Sequence, residues 1–247
     1  MLPRDVADHL RKRFQRDLEG NVRIIVFVKD RDCRYCGETA QIGRDVAELD
    51  PRISTEVYDA GQSSEMRSKF GIELVPATII LGDRDYRIRH YGIPSGGEFS
   101  TYVEDIISVS RRRPKLDSRS LEMLRSVDQK VHIQVFVTPT CPHCPRMVFM
   151  AHQFAIANEN INADMIEATE FPELARKYRV LGVPKTIVNG TVTVVGQLPE
   201  DAFVEFILYS IGKIQNLSPT LEGALKASDM GSSIRDRYRD DPLQTGA

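Results

Sequence analysis

The sequence predicts an α/β protein made of two copies of one unit, each copy a central mixed β-sheet flanked by helices. Three observations carry this expectation. The chain has 247 residues, enough for two domains of about 100–150 residues. It is also written twice: 108 residues separate Cys33 from Cys141, Pro76 from Pro184, and Glu56-Val57-Tyr58-Asp59 from Asp164-Met165-Ile166-Glu167. Within each copy strand-like and helix-like patterns alternate, which implies βαβ units. A closing hairpin then adds antiparallel strands and makes the sheet mixed. A repeat this long marks duplicated domains rather than a short-repeat solenoid.

The elements follow in order. Val6, Leu10, Phe14 and Leu18 recur at i, i+4 spacing and predict an opening helix; Leu121, Leu124 and Val127 do the same at i, i+3 for the second copy. Apolar, β-branched strands are expected at 22–28 and 130–137, each leading through a cysteine pair to a helix at about 34–49 and 142–158. A second strand (53–59; 161–167) leads to a second helix (63–70; 170–178). Hairpin strands at 77–82 and 85–91, and at 185–189 and 191–196, precede a last helix at 96–110 and 199–214. Gly92 and Phe99 recur as Gly196 and Phe203 at a separation of 104, a change that surface loops absorb. The charged stretch Ser110-Arg111-Arg112-Arg113-Pro114-Lys115 is read as a solvated linker and helix end rather than an anion site. The expected domains are therefore 1–113 and 114–228, with a flexible tail over 229–247 rich in Ser, Gly, Arg and Asp.

Composition narrows the function. A net charge of −2 gives no electrostatic reason to expect nucleic acid or an anionic membrane as partner. No apolar run reaches the length of a membrane span, and the opening MLPRDVADHLRKRF has no secretory apolar segment, so a cytoplasmic protein is expected. All 4 cysteines lie in two Cys-x-x-Cys pairs. In the cytosol such disulfides are seldom structural and more often catalytic.

Each pair falls where a buried strand gives way to a helix. That places Cys33 and Cys141 near free backbone N–H groups at a helix N-terminus, which favour a thiolate. The thiolate is the attacking species in disulfide exchange. Cys33 and Cys141 are thus the expected nucleophiles, and Cys36 and Cys144 the resolving thiols. The residues between them tune the pair. Pro142 suits a first helical turn, and His143 can donate a hydrogen bond or charge to the Cys141 thiolate. Arg34, beside Tyr35, brings permanent positive charge to the first pair. Stabilising the thiolate makes a pair more oxidising, so the second pair is expected to have the higher potential.

The prolines are the second feature. Val75-Pro76 and Val183-Pro184 each open a strand 43 residues after the first cysteine of their own copy, and Thr78 and Thr186 follow two positions on. A lone proline there is an edge-strand residue. Its recurrence at a fixed distance from a dithiol points to a cis peptide bond facing the cysteines, with the valine backbone left to pair with an extended substrate.

A strand, Cys-x-x-Cys, a helix and a later Val-Pro-x-Thr resemble the thioredoxin/glutaredoxin fold. Two such units in tandem resemble the two-domain protein disulfide oxidoreductases, or glutaredoxin-like proteins, and Tyr91-Gly92-Ile93-Pro94-Ser95-Gly96-Gly97-Glu98-Phe99 is similar to that family's first unit. The resemblance implies reduction, oxidation or isomerisation of protein disulfides. It implies no bound cofactor beyond redox-active disulfides, and electrons from NADPH through a thioredoxin reductase-like flavoprotein. It also carries over Cys33/Cys36 and Cys141/Cys144 as catalytic pairs and Pro76 and Pro184 as cis prolines. Two departures stand out. The chain has no Trp, and Phe27 and Val135 occupy the positions of thioredoxin's buried Asp, which leaves the proton route open. Cys141-Pro142-His143-Cys144 also resembles a bacterial periplasmic dithiol oxidant.

Three functions fit these motifs. One is a general dithiol–disulfide oxidoreductase acting on disulfide-containing proteins. The second is a dedicated electron relay to a peroxiredoxin-type partner. The third is a non-catalytic metal-binding or scaffold protein, although zinc sites usually separate their cysteine pairs by about 15–20 residues. His9, His90, His132 and His152 show no paired metal-ligand spacing and are read as surface or strand residues. Ser95-Gly96-Gly97 is read as a turn leaving the hairpin rather than an anion cradle.

Overall fold

The computed structural model describes residues 2–238. The first copy runs β1 (Val22–Val28), α2 (Cys36–Ala47), β2 (Ile53–Asp59), α3 (Ser64–Phe70), β3 (Ala77–Leu81), β4 (Asp85–Tyr91) and α4 (Glu98–Arg111). The second repeats it as β5 (Val131–Val137), α6 (Cys144–Ala157), β6 (Ile161–Glu167), α7 (Pro172–Lys177), β7 (Lys185–Val188), β8 (Val192–Val195) and α8 (Glu200–Ser210). Helices α1 (Arg4–Asp17) and α5 (Ser118–Leu124) precede the copies, and α9 (Pro219–Tyr238) follows. The backbone of the expected tail is thus helical as far as Tyr238, and 239–247 lie outside the described residues.

The two expected sheets are one. The strand order β2-β1-β3-β4-β6-β5-β7-β8 is continuous. Within each copy one pair is parallel (β1 with β2, β5 with β6) and two are antiparallel. The copies join where β4 pairs in parallel with β6, from Ile88 opposite Ala163 to Tyr91 opposite Ile166. Joining there removes two strand edges, each a row of unpaired backbone groups. Hydrophobic pattern reports burial on a sheet face but not which edge meets which, so this junction has no local sequence signal.

Both sheet faces are covered, which is why β1 reads Val-Arg-Ile-Ile-Val-Phe-Val without alternation. On one face Ile24 and Val26 pack with Phe14, Tyr102, Ile106, Phe154 and Phe203, a core that runs through both copies. On the other, Ile25 and Phe27 share a cluster with Phe70, Ile79, Phe136 and Ile187. Helix α6 is buried nearly all round because it lies on β4, β5 and β6 and also against α4. Between α3 and α7 the second face opens into a polar cleft of about 620 Å³. Its floor explains the charges of β4 and β6: Arg89 pairs with Asp85 at 2.6 Å, and His132 with Asp164 at 2.5 Å.

The arginines of 110–115 are engaged rather than free for an anion. Arg111 donates to the Asp17 carbonyl and carboxylate, Arg113 to Glu19, and Arg112 lies 3.8 Å from Asp83. Arg112 itself ends α4 in the left-handed conformation with φ 56°.

Candidate functional site

Strand register places the two cysteine loops alike. Phe27 opposes Ala77, and Phe136 opposes Lys185, so Pro76 and Pro184 stand at matching positions beside the strand that feeds each loop. The loops differ by one residue: Lys29-Asp30-Arg31-Asp32 precedes Cys33, whereas Thr138-Pro139-Thr140 precedes Cys141. Asp32 takes up the extra residue with φ 52°.

Both cysteine pairs are closed as disulfides, with Cα separations of 5.6 Å for Cys33–Cys36 and 5.5 Å for Cys141–Cys144. Helices α2 and α6 start at Cys36 and Cys144, so the first cysteine of each pair sits in the turn before the helix rather than on its first residue. The consequence for charge survives that shift at the second pair. The N–H of Cys144 donates to Cys141 Sγ at 3.1 Å, a helix N-terminal donor on the sulfur of the expected nucleophile. At the first pair a backbone donor reaches the other sulfur: the Lys29 N–H donates to Cys36 Sγ at 3.3 Å.

The intervening residues do less than expected at the sulfurs. Pro142 lies in the turn, and Pro145 takes the first helical turn instead. His143 is exposed, and its Nδ1 lies 3.0 Å from Gln197 Oε1 rather than on Cys141. The Arg34 guanidinium lies 5.1 Å from the Tyr35 ring centroid, a cation–π pair, and its charge also reaches Glu170.

The peptide bonds before Pro76 and Pro184 are both cis. Around the first pair, Asp32, Cys33, Arg34, Val75 and Pro76 line a cavity of about 480 Å³ that the second copy closes with Thr169, Glu170 and Pro172. At the second pair the first copy comes closer still. A Cβ on Gly96, which has φ +60°, would run into the Pro139 carbonyl oxygen, so the Ser95-Gly96-Gly97 turn is a close-packing contact.

That turn delivers a carboxyl that the cysteine spacing does not reveal. Glu98 opens α4 and is 3% exposed. Its helix turn packs on the start of α6: Thr101 Oγ1 donates to the Pro145 carbonyl at 3.2 Å. Burial, then the charge of Asp105, push the Glu98 pKa up to about 8. Deeper between the copies, Asp105 Oδ2 accepts from His90 Nε2 at 3.0 Å and His152 Nδ1 at 2.6 Å, all three side chains being fully buried. Burial lowers the His90 pKa despite Asp105. Burial alone would raise Asp105, but the two histidines outweigh it and hold it low. His90, a strand residue of β4 as expected, and His152, which lies on α6 rather than on the surface or a strand, are therefore core residues that meet through Asp105.

Comparison with known proteins agrees with this geometry. Residues 131–209 match the family model described as a thioredoxin domain. A protein disulfide oxidoreductase from Aeropyrum pernix superimposes with a TM-score of 0.79 and 30% identity, over 88% of this chain and 97% of that one. The chain belongs to the two-domain protein disulfide oxidoreductases. The same tandem thioredoxin fold appears in the N-terminal domain of the alkylhydroperoxide reductase AhpF from Enterococcus faecalis, with TM-score 0.77, 23% identity, and 84% and 100% coverage. An alkyl hydroperoxide reductase component from Staphylococcus aureus is 24% identical over 191 residues, covering 77% of this chain. The chain spans about a third of the length of that relative, 34%. As a member of the oxidoreductase family with two Cys-x-x-Cys disulfides, it is a thiol–disulfide oxidoreductase of thioredoxin fold.

Proposed function

We propose that this oxidoreductase exchanges electrons with protein disulfides through both pairs. Cys33 or Cys141, as thiolate, attacks a substrate sulfur. The substrate S–S bond breaks, its leaving thiolate takes a proton, and a mixed disulfide forms. Cys36 or Cys144, once deprotonated, attacks the enzyme's own sulfur and releases the second substrate thiol, so two electrons pass from dithiol to substrate. Run backwards, the same steps oxidise a substrate dithiol. The observation that carries the reading is the recurrence, in each copy, of a disulfide at a helix start with a cis Val-Pro on the neighbouring strand. The backbones of Val75 and Val183 are the places where an extended substrate segment would pair.

At the second pair, Glu98 is the proton carrier in this reading. Its helix turn packs on the residue after Cys144, and in its ionised form its carboxyl takes the role left open by Val135, receiving the Cys144 proton as that thiol is released to attack. Electrons come from NADPH through a thioredoxin reductase-like flavoprotein, no cofactor is held by this chain, and the protein works in the cytoplasm. Among the described residues no helix is long and apolar enough to cross a membrane.

The likeness to the alkyl hydroperoxide reductase proteins favours a second reading, a relay to a peroxiredoxin. Insulin reduction separates them, because a relay without its partner turns over poorly. Single Cys33→Ser and Cys141→Ser variants should each retain part of the activity, and the double variant should lose it. Full turnover by the double variant would sink the proposal.

A further inference from the structure

We infer that Glu170 makes the first site selective for disulfides flanked by positive charge, while the second site lacks that preference. The inference rests on Cys33–Cys36 being a working redox pair and adds the substrate class that this pair takes.

Glu170 belongs to the second copy but stands over the first active site. It lines the cavity of about 480 Å³ that holds Cys33, Val75 and Pro76. Its position is built rather than incidental. The buried Glu167 carboxylate accepts from the Thr169 N–H, the Thr169 hydroxyl and the Glu170 N–H at 3.2, 2.7 and 2.8 Å, which fixes the turn leading into Glu170. Glu170 Oε1 then accepts from the Ile93 N–H at 2.6 Å, tying it to the first copy. Gly92 permits the approach: a Cβ there would lie 2.6 Å from Glu167 Cβ and 2.7 Å from Glu170 Oε1. A carboxylate held by two elements loses little side-chain entropy when a substrate binds, so its charge is available for recognition.

The charges around it leave an acidic surplus. Asp32 and Glu170 are the carboxylates of the cavity and Arg34, stacked on Tyr35, is its cation; burial raises the Glu170 pKa, while the Ile93 N–H and the Arg34 charge act to lower it. The second site has a different set. The positions matching Asp32, Arg34 and Tyr35 are Thr140, Pro142 and His143, with Gln197 on the histidine. Of the first-copy residues that close on that loop, Gly96 and Gly97 carry no charge, and burial keeps the Glu98 carboxyl neutral below about pH 8. A lysine or arginine beside a substrate half-cystine therefore finds a partner at the first site, and a glutamate there meets repulsion.

The two sites of one chain control each other in the test. A full-length Cys141→Ser/Cys144→Ser variant leaves only the first pair, and Cys33→Ser/Cys36→Ser leaves only the second. Each is given two matched peptide disulfides, one with arginine and one with glutamate on both sides of the half-cystine. At low ionic strength the first-pair variant should favour the arginine peptide in kcat/KM by about tenfold. Adding Glu170→Gln, which keeps the acceptor for the Ile93 N–H, should bring that ratio below about threefold, and the second-pair variant should start there. An equal ratio for both peptides, or one that Glu170→Gln leaves unchanged, overturns the inference. Turnover of neither peptide by the first-pair variant instead removes the reading of Cys33–Cys36 as a working pair, and the inference with it.

Discussion

Glu98 shows what a single residue gains from its surroundings. In sequence it is one of 35 Asp and Glu residues, following a glycine pair that reads as a turn. It is buried where the start of α4 packs on α6, and burial with the Asp105 charge is what moves its pKa to about 8. The proton it keeps in the native state is one the unfolded chain gives up near the ordinary carboxyl value of about 4.3. Stability is therefore expected to fall as pH rises from that value to about 8 and to level off above. Glu98→Gln removes this dependence. Its thermal midpoint should match the parent near pH 4 and exceed it at pH 8, and equal midpoints at both would contradict the burial. In the same variant the pH profile of disulfide reduction by the second pair should lose its inflection near 8, with the rate falling about 10²-fold. His152 is equally illegible in sequence, since its partners Asp105 and His90 are brought to it by chain segments 47 and 62 residues away. The cysteines and cis prolines are legible because each appears twice at one fixed spacing.

The strands and helices of each copy are legible from their periodicity, and most of their ends fall within a few residues of expectation. The differences cluster where the chain turns sharply. Helices α2 and α6 begin at the second cysteine, because the disulfide loop takes up the residues before it. Helix α9 has no such signature, since its Ser, Gly and charged residues read as tail. Its start packs into the protein through Leu221, which is fully buried, and Ser228 Oγ accepts the Val195 N–H at 2.9 Å, covering the open edge of β8. Leu221→Ala should cost about 2–5 kcal/mol in denaturant unfolding if that packing holds the helix. Loss of a few tenths would mean that α9 contributes little. The turn at Gly96 makes a sharper case. Alanine there would meet both a left-handed backbone and the Pro139 carbonyl. Gly96→Ala should destabilise by at least about 2 kcal/mol and slow reduction by the second pair more than by the first. A neutral effect would show that the copies do not touch there.

At the scale of the molecule, duplication is plain in the sequence and the junction is not. The β4–β6 pairing, the shared core of α4 and α6, and the His90–Asp105–His152 bridge bind the copies into one body. Calorimetry should therefore give a single unfolding transition, and two separate ones would argue that the junction is weak. This union also separates the sites chemically: Thr169, Glu170 and Pro172 of the second copy close over the first disulfide, and a helix N–H donor reaches Cys141. Stabilising the Cys141 thiolate favours the reduced second pair and raises its potential. The direct measurement is a glutathione redox titration of each pair, with the other changed to serine. Each single-pair variant should give one two-electron transition. The second pair should lie higher, by about 30 mV for every ~1.4 kcal/mol of extra thiolate stabilisation. A pair that fails to cycle between dithiol and disulfide would contradict the assignment of two working active sites.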